Sequence, residues 1–162
     1  MMKKLIFSLT FLFILSFAHA QNMHLAFNKL LNNYVSPEGK VNYAGLKKNK
    51  HTLDAYIDML AKTKVMENWG KSEKLSFWIN TYNALTIRTI VEHFPVKSIK
   101  DIDGGDPWKV KRFTNGGKAL SLNDIENNIL RPMGDSRIHF AINCAAASCP
   151  PIANKAFDAE NV

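Results

Sequence analysis

The sequence lacks the motifs that mark several large enzyme classes. Among its 162 residues there are eight glycines, and they form no loop of the kind that cradles phosphate groups. No two carboxylates are spaced as in enzymes that use paired acids, so nucleotide and sugar chemistry have little support. Internal repeats, low-complexity tracts and linkers are also missing. We therefore expect a single domain over residues 21–162.

Long hydrophobic runs are scarce too, and the only one lies at the N-terminus. Two lysines precede an apolar run over residues 5–17, and residues 18–20, Ala-His-Ala, then offer the small side chains that a signal peptidase requires. The run is short for a membrane span, and no second run follows it. We predict a signal peptide over residues 1–20, no transmembrane segment in the mature chain, and a periplasmic or secreted protein.

Acidic residues are in the minority, which gives the chain a modest positive charge. There are 21 Lys and Arg residues against 14 Asp and Glu residues, a formal net charge of +7 that falls to +5 once the two lysines of the predicted signal peptide are removed. The basic residues are scattered, and the short clusters at 47–50 and 109–112 carry no repeated stacking pattern. We interpret them as solvated surface and expect no nucleic-acid partner.

The N-terminal half has the apolar spacing of helices. Residues 22–34 and 53–62 each carry apolar side chains at helical intervals. A third segment runs from a capping residue, Ser72, to the stop imposed by Pro95. Apolar residues occur on several sides of this segment, which is typical of a helix packed by neighbours all round. We expect it to be a long, buried central helix.

The second half has a mixed pattern. Asn115-Gly116, between short extended runs, is a strong signal for a β-hairpin. Ser121 then has the position of a helix cap, with Asp124 three residues later. Residues 138–143 alternate apolar and polar, which predicts a strand. The predicted fold class is α+β: N-terminal helices with a long central buried helix, then a small sheet with a hairpin and one inserted helix.

The two cysteines stand close together, in the segment HFAINCAAASCPP at residues 139–151. A metal site built on His139, Cys144 and Cys149 is disfavoured, because their spacing matches neither a paired zinc knuckle nor a zinc deaminase. We expect no metal and no cofactor. A disulfide between Cys144 and Cys149 is one alternative, since an exported protein meets an oxidising compartment and four intervening residues suffice to close the ring.

A nucleophilic thiolate is the other alternative. Cys149 stands directly before Pro150 and fits the cap of a following helix, whose dipole would favour a negatively charged sulfur. His139 and Cys144 would be about 16 Å apart along an extended strand, too far for proton transfer. The turn after Cys144 allows Cys149 to fold back toward the strand face of His139 and Asn143. We therefore pair Cys149 with His139.

The predicted central helix supplies two amides for the same region. Asn80 and Asn83 are three residues apart, so their side chains share one helix face. Buried amides have to be hydrogen-bonded, since an unpaired one costs about 1–3 kcal/mol. They serve either to pin the backbone of the cysteine loop, or to orient the imidazole and stabilise an oxyanion beside a Cys–His pair.

Two segments resemble the signature segments of the domain of unknown function 547 family: FWINTYNALTI at 77–87 and RIHFAINCAAASCPPI at 137–152. The linking LSLNDIENNILRP fits it too, and the resemblance covers the chain from about Tyr43 to Val162. It implies a domain found in exported bacterial proteins and in plant and animal multidomain proteins, with no established reaction. The family commonly has histidine where this chain has Asn127, and its members usually extend beyond the equivalent of Val162. We expect a C-terminally truncated fragment.

Two functions follow from these alternatives. The leading hypothesis is a thiol-dependent hydrolase or acyltransferase, in which Cys149 attacks a carbonyl of a small-molecule or peptide-like substrate and His139 transfers the proton. Asn80 or Asn83 orients the groups, and Cys144 belongs to the same candidate site. The alternative is a non-catalytic, disulfide-closed binding or interaction domain. Thiol–disulfide exchange is a third reading, although it usually prefers a Cys-x-x-Cys spacing. The pattern predicts no particular oligomeric state.

Overall fold

Four helices make up the N-terminal half of the fold. The computed structural model describes residues 23–146 and 148–162, so the predicted signal peptide at residues 1–20 lies outside the described residues. The helices are α1 (Leu25–Tyr34), α2 (Tyr43–Lys48), α3 (Lys50–Lys62) and α4 (Lys71–His93). The three helices predicted from apolar spacing are confirmed as α1, α3 and α4, and α2 is an additional short helix.

Helix α4 is the centre of the core, as its apolar residues on several sides predicted. It begins where the Glu73 carboxylate accepts a hydrogen bond from the backbone N–H of Gly70 (2.6 Å), and it ends before Pro95, which cannot continue a helix. Every residue from 75 to 87 is buried. Although α4 is 23 residues long, neither it nor any other helix in the described part of the chain has the length and apolar character needed to span a bilayer.

Burial on all sides removes water from the polar side chains of α4. Thr81, Thr86 and Thr89 find partners inside the helix, because each hydroxyl donates to the backbone carbonyl four residues earlier, at 2.7, 2.9 and 2.9 Å. Asn80 and Asn83 are buried as deeply, and their hydrogen-bond partners lie in other segments. The threonines therefore serve the helix alone, whereas the two asparagines join it to the rest of the fold.

Helix α1 connects two distant parts of the chain. Its Phe27 ring stacks on the ring of Tyr56 in α3, with centroids 4.8 Å apart. Its Asn28 side chain accepts a hydrogen bond through Oδ1 from the backbone N–H of Ala156 (3.0 Å), which lies 128 residues further along the sequence. The first described helix and the C-terminal segment are thus in direct contact.

A two-stranded antiparallel hairpin follows three short 3-10 turns. The turns are Ile99–Asp101, Asp103–Gly105 and Pro107–Lys109. Strand β1 (Phe113–Asn115) pairs with β2 (Lys118–Leu120), and Asn115 lies opposite Lys118. The two glycines between the strands have φ values of 56° and 77°, as a two-residue turn with positive φ at both positions requires. The predicted hairpin and the α+β class are confirmed.

The helix predicted after the hairpin is confirmed, but it is not a regular α-helix. Ser121 Oγ accepts from the backbone N–H of Asp124, and the Asp124 carboxylate accepts from the backbone N–H of Ser121, both at 3.0 Å. Beyond this capping box the chain passes through α5 (Leu122–Asp124), a π-helix (Ile125–Leu130) and a 3-10 turn (Arg131–Met133).

A carboxylate fastens the π-helix to α4. Glu126 accepts hydrogen bonds from the Tyr82 hydroxyl of α4 (3.4 Å) and from the Arg131 guanidinium (2.7 Å). Burial raises the pKa of Tyr82, and the Glu126 carboxylate raises it further, so this hydroxyl stays protonated and acts as the donor. Ile125 and Leu130, at the two ends of the π-helix, are both fully buried.

The strand predicted at residues 138–143 does not form. Ile138–Ala141 is a short helix, α6, and the N–H of Ile142 donates to the carbonyl oxygen of Ile138 (3.0 Å). Ile138 and Ile142 are both buried, whereas Phe140 between them is 78% exposed. A strand would place all three side chains on one face, but a helical turn buries only the pair four residues apart.

A buried histidine lies just before α1. His24 is 5% exposed, and its Nδ1 lies 2.7 Å from the hydroxyl oxygen of Tyr56. Burial lowers the pKa of His24 from 6.5 to about 4, although the nearby Asp158 carboxylate acts in the opposite direction. The imidazole is therefore neutral in the folded protein at neutral pH.

The fold should consequently lose stability in mild acid. The unfolded chain binds a proton at His24 near pH 6.5 and the folded chain only near pH 4, so the free energy of unfolding falls as the pH decreases through this window. Replacing His24 with Gln removes the titrating ring, and urea denaturation should then give a flatter pH dependence than wild type. His51→Gln, at an exposed helix position, is the matched control. Equal slopes for His24→Gln and wild type would contradict this role of His24.

Candidate functional site

The two cysteines are joined in a disulfide that closes a small loop from Cys144 to Cys149, the cysteine loop. The Cα atoms of Cys144 and Cys149 are 6.1 Å apart, and both residues are half-buried. Inside the loop Ala145 has a φ of +58°, an uncommon conformation for a residue with a side chain. The Trp108 indole N–H donates to the carbonyl oxygen of Cys144 (3.2 Å) and holds one end of the loop. In this state neither sulfur is a thiolate.

The helix that the sequence places after Cys149 is absent. Residues 150–157 contain no helical turn. Pro150 precedes a second proline, which biases it away from helical backbone angles, and its carbonyl oxygen accepts a hydrogen bond from the Asn143 side chain (2.7 Å). Cys149 therefore does not cap a helix, and the helix dipole expected to favour a negatively charged sulfur there is missing.

His139 lies on the exposed side of α6. Because residues 138–141 are helical, the strand face that would carry His139 and Asn143 together does not form. Asn143 instead directs its amide into the cysteine loop, where it bonds to Pro150 and to the N–H of Ala145 (3.0 Å). The pairing of Cys149 with His139 stays a prediction, and it concerns the reduced protein.

Asn83 pins the segment that leads into the cysteine loop. Its side chain is 2% exposed, donates through Nδ2 to the carbonyl oxygen of Ala141 (2.9 Å) and accepts through Oδ1 from the backbone N–H of Asn143 (2.9 Å). Since Asn143 in turn bonds across the loop to Pro150, two amides in series connect the central helix to both arms of the disulfide loop. These contacts match the first of the two roles considered for the buried asparagines, in which they pin the backbone of the cysteine loop.

Asn80 holds a second segment in the same way. It is fully buried, and its amide both donates to the carbonyl oxygen of Phe157 (2.7 Å) and accepts from the N–H of Phe157 (3.0 Å). An amide that binds both backbone groups of one residue fixes the position of that residue and leaves neither group unpaired. Asn80 and Asn83 share a helix face, as predicted from their spacing, but they reach different segments of the chain.

The segments held by these asparagines form walls of a surface pocket beside α4, which we name the apolar pocket. It has a volume of about 310 Å³. Its lining residues are Leu75, Ile79, Asp135, Arg137, Ile138, Phe140, Ala141, Phe157, Asn161 and Val162. Ala141 and Phe157 are the two residues whose backbones Asn83 and Asn80 bind. Buried hydrogen bonds to the central helix therefore fix two walls of the apolar pocket.

The polar side chains of the apolar pocket are already paired. Arg137 donates two hydrogen bonds to Asp135 (3.0 and 2.7 Å), and these bonds lower the pKa of the Asp135 carboxyl to about 2. Arg137 also donates to the carbonyl oxygen of Val162 (3.2 Å). Asn161 uses its amide for two backbone hydrogen bonds close by in the sequence (2.9 and 3.3 Å). Within residues 23–146 and 148–162, no three His, Cys, Asp or Glu side chains are arranged to hold a metal ion.

The apolar pocket has no signal in the sequence, because its walls come from α4 and from two segments that lie more than 50 residues further along the chain. The available local signal is the alternation of residues 138–143, which favours a strand with Phe140 on the buried face. The role of Asn143 has no clear sequence signal either, since its amide bonds both to Ala145 close by and to Pro150 beyond the second cysteine. Of the predicted site residues, the structure brings Asn83, Cys144 and Cys149 into one connected region.

Comparison with known proteins gives one match. A family model described as protein of unknown function, DUF547, matches residues 66–162. No curated protein and no solved structure matches the chain. The matched residues include α4, the cysteine loop and every residue that lines the apolar pocket.

Removing the Asn83 amide should destabilise the fold. Asn83→Ala deletes two hydrogen bonds and leaves the Ala141 carbonyl and the Asn143 N–H without partners, so we expect a loss of about 2–3 kcal/mol in the free energy of unfolding, measured by urea denaturation. Asn127→Ala is the control, because Asn127 is exposed and bonds only to Asn123 one turn away. We expect a change within about 0.5 kcal/mol for the control. Similar values for both variants would contradict the pinning role.

Proposed function

Since the chain belongs to the DUF547 family, whose description assigns no activity, we infer its function from the site and propose that it is a disulfide-closed, non-catalytic binding domain. The observation that carries this proposal is the apolar pocket. Its volume of about 310 Å³ lies at the lower end of the range in which proteins bind small molecules. The ligand is accordingly a small, largely apolar molecule.

The charges at the pocket indicate that the ligand is neutral. Asp135 and Arg137 neutralise each other through two short hydrogen bonds, and the remaining contact of Arg137 is with the backbone at Val162. A charged ligand would have to break this pair and leave one member of it without its partner. Apolar contact with Leu75, Ile79 and their neighbours is therefore the main source of affinity.

The pocket walls are held in place before any ligand binds. Asn80 and Asn83 fix the backbones of Phe157 and Ala141, and the disulfide limits the motion of the loop that follows Ala141. Binding to walls that are already ordered avoids the entropy cost of ordering them. In this proposal the disulfide shapes the binding site and takes no part in a reaction.

We also propose that the protein works in an oxidising compartment. Disulfides persist in the periplasm and in secreted proteins and are rare in the cytosol. The Cys144–Cys149 bond supports this placement, which agrees with the signal peptide expected at residues 1–20.

A neutral apolar dye tests the binding proposal. Nile red should bind with increased fluorescence, and Phe140→Ala should weaken binding about tenfold, the effect of losing ~1–2 kcal/mol of apolar contact. The substitution should leave the thermal transition almost unchanged, because the Phe140 side chain is 78% exposed. Titration of fluorescence against protein concentration measures both affinities.

Val110→Ala is the matched control for this titration. Val110 is 39% exposed and does not line the apolar pocket, so its truncation should not change the affinity for Nile red. An equal loss for both variants would indicate nonspecific adsorption to exposed apolar side chains. Absence of binding to the wild-type protein would refute the proposed function.

The competing proposal is a thiol-dependent hydrolase or acyltransferase that is active after reduction. Cys149 would attack a carbonyl carbon, His139 would accept and return the proton, and Cys144 would stand beside them as the second thiol. Two observations support this alternative. The side chain of His139 is exposed to solvent, and both cysteines are only half-buried.

Alkylation followed by mass spectrometry separates the two proposals. The oxidised protein should take up no iodoacetamide, and the reduced protein should take up two equivalents at similar rates if the cysteines serve only as a closure. Much faster labelling of Cys149, slowed by His139→Ala, would support the enzyme instead. Asn128→Ala, at an exposed position outside the cysteine region, controls for general effects of substitution.

A further inference from the structure

Asn115, the last residue of β1, ties the hairpin to the end of helix α3. Its Nδ2 donates to the carbonyl oxygens of Thr63 (2.8 Å) and Leu60 (3.0 Å), and the carbonyl oxygen of Ala61 lies 3.5 Å away. The last four carbonyl groups of a helix have no partner within the helix. One side-chain amide therefore binds two carbonyl groups at the end of α3 and holds the hairpin against it.

A hydrogen-bond donor without negative charge suits this position. The C-terminal end of a helix carries a partial negative charge, because its carbonyl dipoles point outward there. A carboxylate at residue 115 would donate nothing to Leu60 and Thr63, and it would place a negative charge against their oxygens. Conversion of the Asn115 amide to an acid would thus replace attraction by repulsion.

Gly116 makes that conversion chemically accessible. It is exposed, and apart from its chain neighbours no heavy atom lies within 4 Å of the position that a Cβ atom would take. A glycine leaves its own backbone nitrogen unhindered for attack on the preceding side chain, and asparagine is among the thermolabile residues. We propose that Asn115 is a site of spontaneous deamidation, and that the product releases the hairpin from α3.

The reaction requires only water. The backbone nitrogen of Gly116 attacks Cγ of Asn115, the bond from Cγ to Nδ2 breaks, and ammonia leaves with the proton that the glycine nitrogen gives up. The resulting succinimide ring then adds water at one of its carbonyl carbons and opens to aspartate or isoaspartate. The sum is hydrolysis of one amide to a carboxylic acid and ammonia, and no electrons are transferred.

The folded structure restrains this reaction. The hydrogen bonds to α3 hold the Asn115 amide, and pairing with Lys118 keeps the backbone of β1 extended. Loss of Nδ2 as ammonia breaks these hydrogen bonds, so we expect the reaction to proceed from molecules in which the hairpin has opened. Because ammonia is lost, each event is irreversible, and the carboxylate product cannot donate the hydrogen bonds to α3.

Peptide mapping by mass spectrometry measures the rate directly. The full chain and a synthetic peptide of residues 110–121 are incubated together in mildly alkaline buffer, and the one-dalton increase at Asn115 is followed over time. We expect conversion in the peptide and a rate at least about tenfold lower in the folded chain, with acceleration in urea below the unfolding transition. Equal rates in chain and peptide, or no conversion in the peptide, would overturn the proposal.

A variant that carries the product tests the structural consequence. Asn115→Asp should lower the thermal midpoint by several degrees more than Asn127→Asp, which places the same charge at an exposed residue of the π-helix. Equal midpoints would show that the Asn115 amide does not hold the hairpin. If Asn115→Asp fails to fold, the rate comparison on the unmodified chain still decides the proposal.

Discussion

Two amides buried on a central helix must be hydrogen-bonded, and this requirement determines where residues 141–143 and 157 lie. The threonines of α4 bond within their own helix, but Asn80 and Asn83 take their partners from residues 157 and 141–143. Any arrangement that moved these segments away would leave deeply buried polar groups unpaired. The segments therefore lie across α4, and the space that remains between them is the apolar pocket.

The disulfide contributes less to the stability of the fold than the two buried amides do. Closing so short a loop contributes about 2 kcal/mol in the chain-entropy account, which is modest for a fold with this much buried surface. Its position is more informative, because the loop it closes carries Ala145 in a left-handed conformation and receives hydrogen bonds from Trp108 and Asn143. The bond and the amides together hold one loop shape beside the pocket wall.

Local signals in the sequence account for the parts of the fold that depend on neighbouring residues. The three main helices, the hairpin at Asn115-Gly116 and the cap at Ser121 all follow from spacing, turn chemistry and capping rules. Residues 138–143 do not, since alternation over six residues fits a strand as well as it fits a helical turn with Ile138 and Ile142 buried. Contacts with distant residues decide between a strand and a helical turn, and the sequence of this segment alone does not predict those contacts.

The candidate site shows the same division. The spacing of Asn80 and Asn83 shows that they share one helix face. It does not show which residues they bind, because those residues come close only in the folded chain. The two segments that carry the family resemblance, 77–87 and 137–152, are bound to each other through Asn83.

The bond between Asn28 and Ala156 has a consequence for how the protein matures. A chain that leaves the ribosome from its N-terminus presents α1 first, and the Ala156 N–H that donates to Asn28 is synthesised 128 residues later. This contact therefore cannot form until the residues of α4, the hairpin and the cysteine segment have all been synthesised.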